Sequence, residues 1–566
     1  RDVGDLALNA SYIFVFGGKL VVGTEQEPFP NKATITLTGD RDSYELPVYG
    51  AKCLAVRDAI LDLHGLPQRP WTRLSQSVHA LNDTIYVQDP VDWKVGDRIF
   101  ITSTSFDPME TEERTIAWTD GYSIKLDQRL FFFHHGDGYF DDRGVEVVPE
   151  YRAEVGLLSR NVVVQGDDQS KQQQFGGQIV FASSQLYDDS IIGRLSNIET
   201  RNVGQGLKLG KYPIHFHMVG NVSKSYVKNC TVHHANNRAI AIHGVNHLTV
   251  SWNVVFDTRG HAVFIEDGTE VRNTLSYNLV ALVRPIWSLL LVDQSPACYW
   301  IVNPDNDVYG NVAAASSHYG FWYRQLEKPD GISGQSAAEQ NVKQFPIYTP
   351  LARMEGNVAH STKRHGLKVS DYFPTVGGAD TNTFGEPATF RDFLGWNNGR
   401  FGVWGEFLVD VNFDGLRVLN PGIAGLEFLY MNGRGTEFAK STISNTYFVG
   451  RTREIATAGP GDMCEGLQDV NGAVNHDGNG CIHALHLPGI GSELLVKNAT
   501  FVNFEAPLWT CSWCVGIKGG YEVDFENVTY TNVTRPATFK KGFGGDIATS
   551  GILNDLDGSL GSGAPG

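Results

Sequence analysis

The segment Tyr212–Asp267 carries an internal repeat that indicates the fold. It contains three related pieces, YPIHFHMVGNV (212–222), HHANNRAIAIHGVNHL (233–248) and RGHAVFIED (259–267). It also holds seven of the 17 histidines of the chain, which are His215, His217, His233, His234, His243, His247 and His261. This crowding of one residue type indicates a common structural or chemical role.

The three pieces can be aligned so that their apolar residues coincide. Ile214 then matches Ile240 and Val263, at offsets of 26 and 23 residues. Because alternate residues of a strand face the same way, the apolar set points to a core and the histidines point to the other side. Repetition at this spacing, with strand patterns and no helical ones, predicts an all-β chain. We expect a right-handed parallel β-helix whose coils stack in register.

In the same alignment His217 falls on His243 and on Glu266. Neighbouring coils lie about 4.8 Å apart, and ligand atoms on one metal ion lie roughly 3–3.5 Å from each other. Side chains in one column can therefore converge on an ion, and His and Glu suit a divalent metal. The pattern predicts a divalent cofactor (Zn, Mn, Fe or Ca), no organic cofactor, and the metal ligands His215, His217, His243, His261 and Glu266.

Two alternatives stay open at this point. A ladder of hydrogen-bonded histidines along the stack explains the same pattern without a metal. Asp267 is a further ligand, a group that orients a ligating histidine, or a turn residue before Gly268.

Composition excludes several classes of function. At 566 residues and 42% hydrophobic, the chain can bury a large core, and a solenoid can extend over such a length. The net charge of −17 argues against nucleic acid as a partner. It also repels an acidic polysaccharide unless a bound cation or a basic groove offsets the charge. No apolar run approaches 18 residues, so no membrane span is predicted.

Glycosylation sequons predict an extracellular or cell-surface location. The seven N-x-S/T sites are Asn9, Asn82, Asn221, Asn229, Asn498, Asn527 and Asn532. Cys464 and Cys481 are predicted to close a loop as a disulfide, and Cys511 and Cys514 to form a local bridge, since no βαβ context supports a redox role. With no signal peptide before Arg1, we expect a piece of a longer protein.

The N-terminal part is strand-like, with glycines between the strands. The segments GGKLVVGTEQEPFPNKATITLTGD (17–40), ELPVYGAKCLAVRDAILDLHG (45–65) and DWKVGDRIFITST (92–104) resemble the eight-glycine extracellular domain of the fibrocystin family. That family also includes the cell-migration-inducing hyaluronan-binding protein and transmembrane protein 2. The resemblance implies such a domain over residues 1–130, incomplete at its N-terminus.

Later motifs resemble the parallel β-helix that follows this domain in the same proteins. They are YPIHFH, AIHGVNH, GHAVFIEDG and NPDNDVYGNVAAASSHYGFWYR (303–324), the last being most similar to the fibrocystin branch. We expect a β-helix with loop inserts over residues 131–485, and last coils, a cap and a C-terminal tail over 486–566. Other segments or copies of the same large protein are expected partners, beside an extracellular glycan or protein ligand.

Asparagines recur before the apolar strands of successive coils. They are predicted to form a ladder at the corners of the solenoid, where a side-chain amide can bond the next coil. The ladder positions are Asn229, Asn253, Asn278, Asn311 and Asn357. Aromatic faces and cations suit an acidic sugar, and the predicted ligand-binding residues are Arg238, Asp267, Trp322 and Arg324.

Three hypotheses about function follow. The resemblance to the fibrocystin branch implies a surface ectodomain, of cilia or similar protrusions, with a metal-supported histidine site that binds a glycan or matrix ligand. The resemblance to the hyaluronan-associated members implies a metal-dependent hydrolase or lyase, with His215 or His261 as acid or base and with Glu266. A carboxylate pair is the weaker enzymatic variant, because Glu266 and Asp267 are adjacent on a predicted strand. The third hypothesis is a purely structural solenoid.

Overall fold

A computed structural model describes residues 4–183, 185, 188–287, 290–375, 386–433, 440–452, 482–487, 492–510, 521–539 and 551–561. This part of the chain is mostly β-strand, with α-helices at Gln169–Gln173 and Gly331–Glu339. Short 3-10 helices lie at Pro108–Glu110, Leu291–Gln294 and Pro346–Tyr348. The chain divides into a first unit (1–301, 306–318 and 329–343) and a second unit (302–305, 319–328 and 344–566).

The first unit is built from three stacks of parallel strands. The stack that carries the histidines, named here the site stack, contains Tyr12–Phe16, Cys53–Arg57, Gln178–Ala182, Ile214–Asn221, Ile240–Asn246, Val263–Ile265 and Ala297–Ile301. A second stack contains Leu6–Ala10, Ala33–Leu37, Val162–Gly166, Ile198–Arg201, Thr231–Ala235, Val254–Arg259, Leu279–Arg284 and Val312–Ser316. The third contains Lys19–Val22, Ile60–His64, Ile192–Ser196, Tyr226–Lys228, Thr249–Ser251, Thr274–Ser276 and Asp307–Tyr309.

Each coil contributes one strand to each stack, which confirms the predicted parallel β-helix. Inward-facing residues such as Leu54, Leu61 and Phe216 are fully buried. Burial of one such apolar side chain contributes about 1.5–3 kcal/mol, and the repetition of these positions along the stacks supplies the core. Asparagine is frequent where the chain turns between strands with positive φ, as at Asn197 (φ 54°), because its short polar side chain tolerates the left-handed region.

An antiparallel sheet interrupts the parallel stacks. Its strands are Trp71–Arg73, Thr84–Tyr86, Arg98–Ile101, Glu112–Thr119, Ser123–Leu126 and Glu154–Leu157, and a separate hairpin pairs Tyr139–Phe140 with Glu146–Val148. The strands before it, in residues 6–64, already belong to the three stacks. The predicted boundaries at residues 131 and 486 stay predictions.

The second unit repeats the same construction. One stack contains Tyr319–Tyr323, His365–Val369, Phe401–Val409, Ala424–Asn432, His483–Leu487, Leu508–Thr510 and Ala537–Phe539. Shorter strands flank it at Arg353–Glu355, Val358–His360, Ala388–Arg391, Leu394–Trp396, Val411–Asp414 and Arg417–Leu419. Longer strands follow at Ser441–Val449, Glu493–Phe504, Tyr521–Val533 and Gly551–Asp555.

The asparagine ladder is confirmed in the first unit, with one correction. Asn253 Nδ2 donates to Asn278 Oδ1 at 2.9 Å, and Asn278 Nδ2 donates to Asn311 Oδ1 at 2.9 Å. Asn229 does not belong to this column: the backbone N–H of Cys230 donates to Asn253 Oδ1, so Cys230 is the residue in register. The ladder prediction was therefore wrong by one residue at Asn229, which instead occupies a left-handed corner with φ 52°.

No helix in the described part of the chain is long and apolar enough to cross a bilayer.

Candidate metal and ligand site

The site stack places the histidine column as the sequence predicted. Ile214 pairs with Ile240, and His217 lies directly opposite His243. Ile242 pairs with Ile265 on the next coil, and the backbone N–H of Glu266 donates to Ile242 O at 3.1 Å. The predicted register is confirmed, since parallel pairing keeps equivalent residues of successive coils side by side.

Two imidazoles meet at the centre of the site. His217 Nδ1 lies 3.2 Å from His243 Nδ1, and His243 Nε2 donates to Asp267 Oδ2 at 2.8 Å. A histidine that donates from one ring nitrogen to a carboxylate presents the other nitrogen for ligation. Asp267 therefore orients His243 so that its Nδ1 faces His217.

His215 adds a third imidazole from the same strand as His217. Its Nδ1 donates to the backbone carbonyl of Gly210 at 3.0 Å, which leaves Nε2 as an acceptor with a free lone pair. Among the described residues this buried Nε2 has no hydrogen-bond partner. One ring nitrogen from each of His215, His217 and His243 lies within 4.8 Å of the others, close enough for one ion. This group contains three of the five metal ligands predicted from the sequence, and Glu266 and Asp267 form a second such group with His243.

Glu266 approaches the same nitrogen of His243. Its Oε2 lies 3.4 Å from His243 Nδ1 and has no hydrogen-bond partner among the described residues. Its Oε1 lies 3.5 Å from Arg238 Nη1. Glu266 and Asp267 both contact His243, contrary to the alternation expected for adjacent strand residues. The physical reason is that the strand Val263–Ile265 ends before them.

Arg238 lies beneath the site and is almost fully buried. Its Nε and Nη2 donate to the carboxylate of Asp293 at 3.0 Å each, and its Nη1 donates to Tyr212 Oη at 2.8 Å. The guanidinium also lies 3.8 Å from the ring centre of Phe264. Arg238 therefore contacts Glu266 and Asp293 inside the protein, whereas the sequence predicted that it contacts a ligand.

Three contributors to the site were missed by the sequence analysis. Ser333, in the helix Gly331–Glu339, donates to Asp267 Oδ2 from its backbone nitrogen at 3.1 Å and from its hydroxyl at 2.9 Å. The buried Glu270 accepts the backbone N–H of Gly244 and of Gly268 at 2.8 Å each, and Lys211 lies at the cavity. No periodicity marks these residues, because they come from loops and an insert rather than from the repeated strand.

Electrostatics favour a positive charge between the carboxylates. Although burial alone would lower it, the pKa of His243 is raised to about 9 because Glu266, Asp267 and Glu270 surround it. Burial and the charge of His243 lower the pKa of His217 to about 3, so that His217 is neutral at pH 7. Burial also holds the pKa of His215 well below its ordinary value and raises the pKa of Glu266.

The cluster opens into a cavity of about 590 Å³, a volume typical of ligand sites in proteins. Polar lining comes from the histidines, Glu266, Asp267 and Lys211, and also from Asp330. The remaining lining residues are apolar or glycine: Val48, Val180, Leu209, Gly210, Leu290, Gly331 and Ile332.

Comparison with known proteins identifies the architecture. The G8 domain model matches residues 1–75, and the CEMIP beta-helix model matches residues 174–367. Fibrocystin-L of Homo sapiens is 34% identical over 610 aligned residues, and the match covers 99% of this chain and 14% of that protein. Fibrocystin-L of Mus musculus is 36% identical over the same coverage. The chain belongs to the fibrocystin-like family.

The relatives are much longer than this fibrocystin-like chain, which spans about 14% of the length of the two fibrocystin-L proteins. Protein rliB of Dictyostelium discoideum is 32% identical over 399 residues, covering 66% of this chain and 33% of that protein. The catalytic domain of a GH87 alpha-1,3-glucanase, solved as the D1068A variant with tetrasaccharides, is 11% identical. That match covers 86% of this chain and 90% of that one, with a TM-score of 0.33.

In this fibrocystin-like chain, several predicted site residues and two further histidines of the repeat are not among the residues that line the cavity. His261 Nδ1 accepts the backbone N–H of Ala297 at 3.0 Å, and its ring lies 4.4 Å from that of Trp300, outside the three-histidine group. Trp322 and Arg324 belong to the second unit, where Lys368 Nζ lies 4.0 Å from the centre of the Trp322 ring. His233 and His234 belong to another stack, and His233 Nε2 lies 3.0 Å from Glu199 Oε1.

Six of the seven sequon asparagines are exposed, and Asn229 is half-buried. The seven are Asn9, Asn82, Asn221, Asn229, Asn498, Asn527 and Asn532. The predicted bridges of Cys464, Cys481, Cys511 and Cys514 lie outside the described residues. Cys53, Cys230 and Cys298 are buried and free of disulfides.

Proposed function

We propose that this fibrocystin-like chain is part of an extracellular ectodomain that binds an acidic ligand through a divalent cation. The cation is held by the His215, His217 and His243 cluster together with Glu266. Exposed sequons and the similarity to fibrocystin-L support the extracellular location. The ligand is an extracellular glycan or protein, and surface-coat architecture is the wider role.

One observation carries the proposal: nitrogens of three imidazoles from two neighbouring coils approach within 4.8 Å of each other at a cavity. A structural ladder would satisfy each ring by hydrogen bonds along the stack. The buried His215 Nε2 and Glu266 Oε2 are instead without hydrogen-bond partners among the described residues. An unsatisfied buried polar atom costs about 1–3 kcal/mol. A metal ion that binds these two atoms would remove that cost, whereas a hydrogen-bonded ladder leaves them unsatisfied.

The donor set suits a divalent metal. Neutral imidazole and carboxylate ligands are typical of Zn, Mn and Fe sites, and the separation of 3.2 Å between His217 Nδ1 and His243 Nδ1 agrees with two ligands of one ion. Asp267 would act on the cation through His243 and fix its ring. A divalent cation would replace the positive charge of the His243 imidazolium between the same carboxylates, and it would offer a positive centre to an anionic ligand.

Elemental mass spectrometry on the purified chain tests this proposal. We expect about one equivalent of metal per chain, and loss of that metal in the double variant His217→Ala, His243→Ala. The matched control is His79→Ala, an exposed histidine outside the cluster. Metal in neither the parent nor the control would leave the structural-ladder hypothesis and would refute the proposal.

A metal-dependent enzyme that degrades an acidic polysaccharide such as hyaluronan, as a hydrolase or lyase, is the second candidate. One observation favours it: Glu266, whose pKa is raised by burial, lies at the same cavity as the neutral His217. A carboxyl whose pKa is raised can serve as a general acid, and a neutral imidazole can serve as a general base. Incubation with hyaluronan of defined length, followed by size analysis, tests the candidate. Shortened products that disappear in Glu266→Gln would support it.

A further inference from the structure

Exposed aliphatic side chains surround the mouth of the cavity. Four lining residues are largely exposed: Val48 at 60%, Leu209 at 53%, Ile332 at 48% and Leu290 at 37%. They come from four separate segments, so no single strand pattern explains their exposure. Exposed apolar groups concentrated at one place, with polar groups among them, are typical of a surface that another molecule covers.

Two further features make this rim unusual. Val48 has a φ of 69°, a strained conformation for a β-branched residue, and its carbonyl oxygen accepts a hydrogen bond from Lys211 Nζ at 2.8 Å. Strain of this kind concentrates at functional sites. Next to the lining residue Leu290, Leu291 is also exposed, at 80%.

The chemistry of the rim disfavours a sugar. A sugar acid carries several hydroxyl groups, and each loses a hydrogen bond to water when it is buried against an alkyl side chain. Apart from histidine, no aromatic side chain is among the described residues that line the cavity, so a flat platform for a sugar ring is absent from that lining. Leu, Ile and Val instead match aliphatic groups on the occupant.

The base of the cavity selects a carboxylate. This step rests on the proposed function, because it requires the cation at His215, His217, His243 and Glu266. A carboxylate oxygen is a suitable further ligand for such an ion, and Lys211 adds a second positive charge at the wall. The occupant therefore combines one carboxylate with aliphatic neighbours on both sides.

We propose that the cavity binds a partner protein through an Asp or Glu side chain flanked by aliphatic residues, with the carboxylate on the cation and the flanking side chains on Val48, Leu209, Leu290 and Ile332.

Titration calorimetry of the whole metal-loaded chain with capped tripeptides tests this pairing. The probes are Leu-Asp-Leu, the isosteric amide Leu-Asn-Leu, the flank control Gly-Asp-Gly, and glucuronate as the sugar acid. We expect Leu-Asp-Leu to bind at least tenfold more tightly than each of the other three. Removal of the metal with a chelator should abolish the difference between Leu-Asp-Leu and Leu-Asn-Leu.

The double variant Leu209→Ser, Ile332→Ser separates the rim from the metal. Both side chains are exposed, so we expect folding and metal content to be unchanged, while Leu-Asp-Leu weakens to the level of Gly-Asp-Gly. Leu81→Ser, at a position 68% exposed outside the cavity lining, is the matched control and should leave binding unchanged.

The outcomes separate the two proposals. Stoichiometric metal together with glucuronate binding as tightly as Leu-Asp-Leu would overturn the partner-protein inference and leave the cation-dependent function standing. Equal affinity of the three tripeptides for the metal-loaded chain would likewise overturn the partner-protein inference and leave the cation-dependent function standing. Absence of metal from the parent chain would remove both proposals.

Discussion

His217 Nδ1 and His243 Nδ1 face each other at 3.2 Å across two neighbouring coils of the site stack. Two neutral imidazoles in this arrangement direct their lone pairs at each other unless a proton or a cation lies between them. The carboxylates of Glu266 and Asp267 stabilise positive charge at this point, which is why the pKa of His243 is raised to about 9. The register of the strands and the surrounding carboxylates therefore both favour a positive charge between His217 and His243.

Replacement of Asp267 by Asn should weaken metal binding without removing a proposed ligand. An amide oxygen still accepts the hydrogen bond from His243 Nε2, but the negative charge that increases the basicity of the ring is lost. Changes to such supporting groups typically lower metal affinity by about 10–100-fold. Competition with a chelating dye measures the affinity, and Asp307→Asn, in a different stack, is the control. An unchanged affinity in Asp267→Asn would show that the charge of Asp267 does not contribute to metal binding through His243.

The sequence predicts those parts of the site that belong to the repeat. His217, His243 and Glu266 could be aligned because one strand of each coil faces the next with its apolar residues in register. His261 lies two residues before the strand Val263–Ile265, and the alignment does not determine its rotamer, which places the ring against Trp300. Ser333 lies 66 residues after Asp267 in an insert, where no periodicity specifies a contact.

Removal of the Arg238 guanidinium should destabilise the fold strongly. Arg238→Met leaves the buried carboxylate of Asp293 without its bidentate partner, and a broken buried pair costs about 3–5 kcal/mol. The double variant Arg238→Met, Asp293→Leu should recover part of that loss, because the Asp293 carboxylate is gone, while Glu266 still lacks its contact with Arg238. Arg353→Met breaks an exposed pair with Glu355 and should change stability by less than about 1 kcal/mol. Denaturant unfolding measures all three, and equal effects of Arg238→Met and Arg353→Met would contradict the burial argument.

The asparagine ladder should make a large contribution to stability. Asn278 Nδ2 donates to Val250 O and to Asn311 Oδ1, and its Oδ1 accepts two hydrogen bonds from Asn253. Asn278→Ala leaves these buried groups unsatisfied, and we expect a loss of about 3 kcal/mol in the free energy of unfolding. Asn229→Gly retains the left-handed backbone outside the ladder and should change that free energy by less than about 0.5 kcal/mol. Similar values for the two variants would show that the ladder is not stabilising.

Low pH should reduce the free energy of unfolding, because Glu113 becomes protonated. Burial alone would raise its pKa, but the hydrogen bond from His234 and the charge of Arg98 lower it to about 2. A carboxyl with a depressed folded-state pKa contributes stability above its unfolded pKa, roughly 4.3, and that stability is lost as the pH falls toward 2. Parent and Glu113→Gln should differ by about 1–2 kcal/mol at pH 7, after discounting for partial exposure.

The difference in unfolding free energy between the parent and Glu113→Gln should shrink steadily below pH 4.3. Denaturant titrations at a series of pH values measure it. The exposed Glu327→Gln is the control and should follow the parent at every pH. A difference between parent and Glu113→Gln that stays constant from pH 7 to pH 3 would show that the Glu113 ion pair does not cause the acid sensitivity.

Gly331→Ala should disturb the metal site without altering any proposed ligand. Gly331 has a φ of +62°, and a Cβ added there would lie 2.2 Å from Asp267 Oδ1. The methyl group must therefore displace the Asp267 carboxylate or the start of the helix Gly331–Glu339.

Gly356 has the same φ of +62° with open space around the added Cβ. Gly356→Ala thus reproduces the backbone strain, a cost of about 1 kcal/mol, without the collision. We expect metal affinity to fall about tenfold or more in Gly331→Ala and to stay unchanged in Gly356→Ala, with thermal unfolding as the check that both variants are folded. Equal metal affinities in the two folded variants would mean that the position of Asp267 does not control His243.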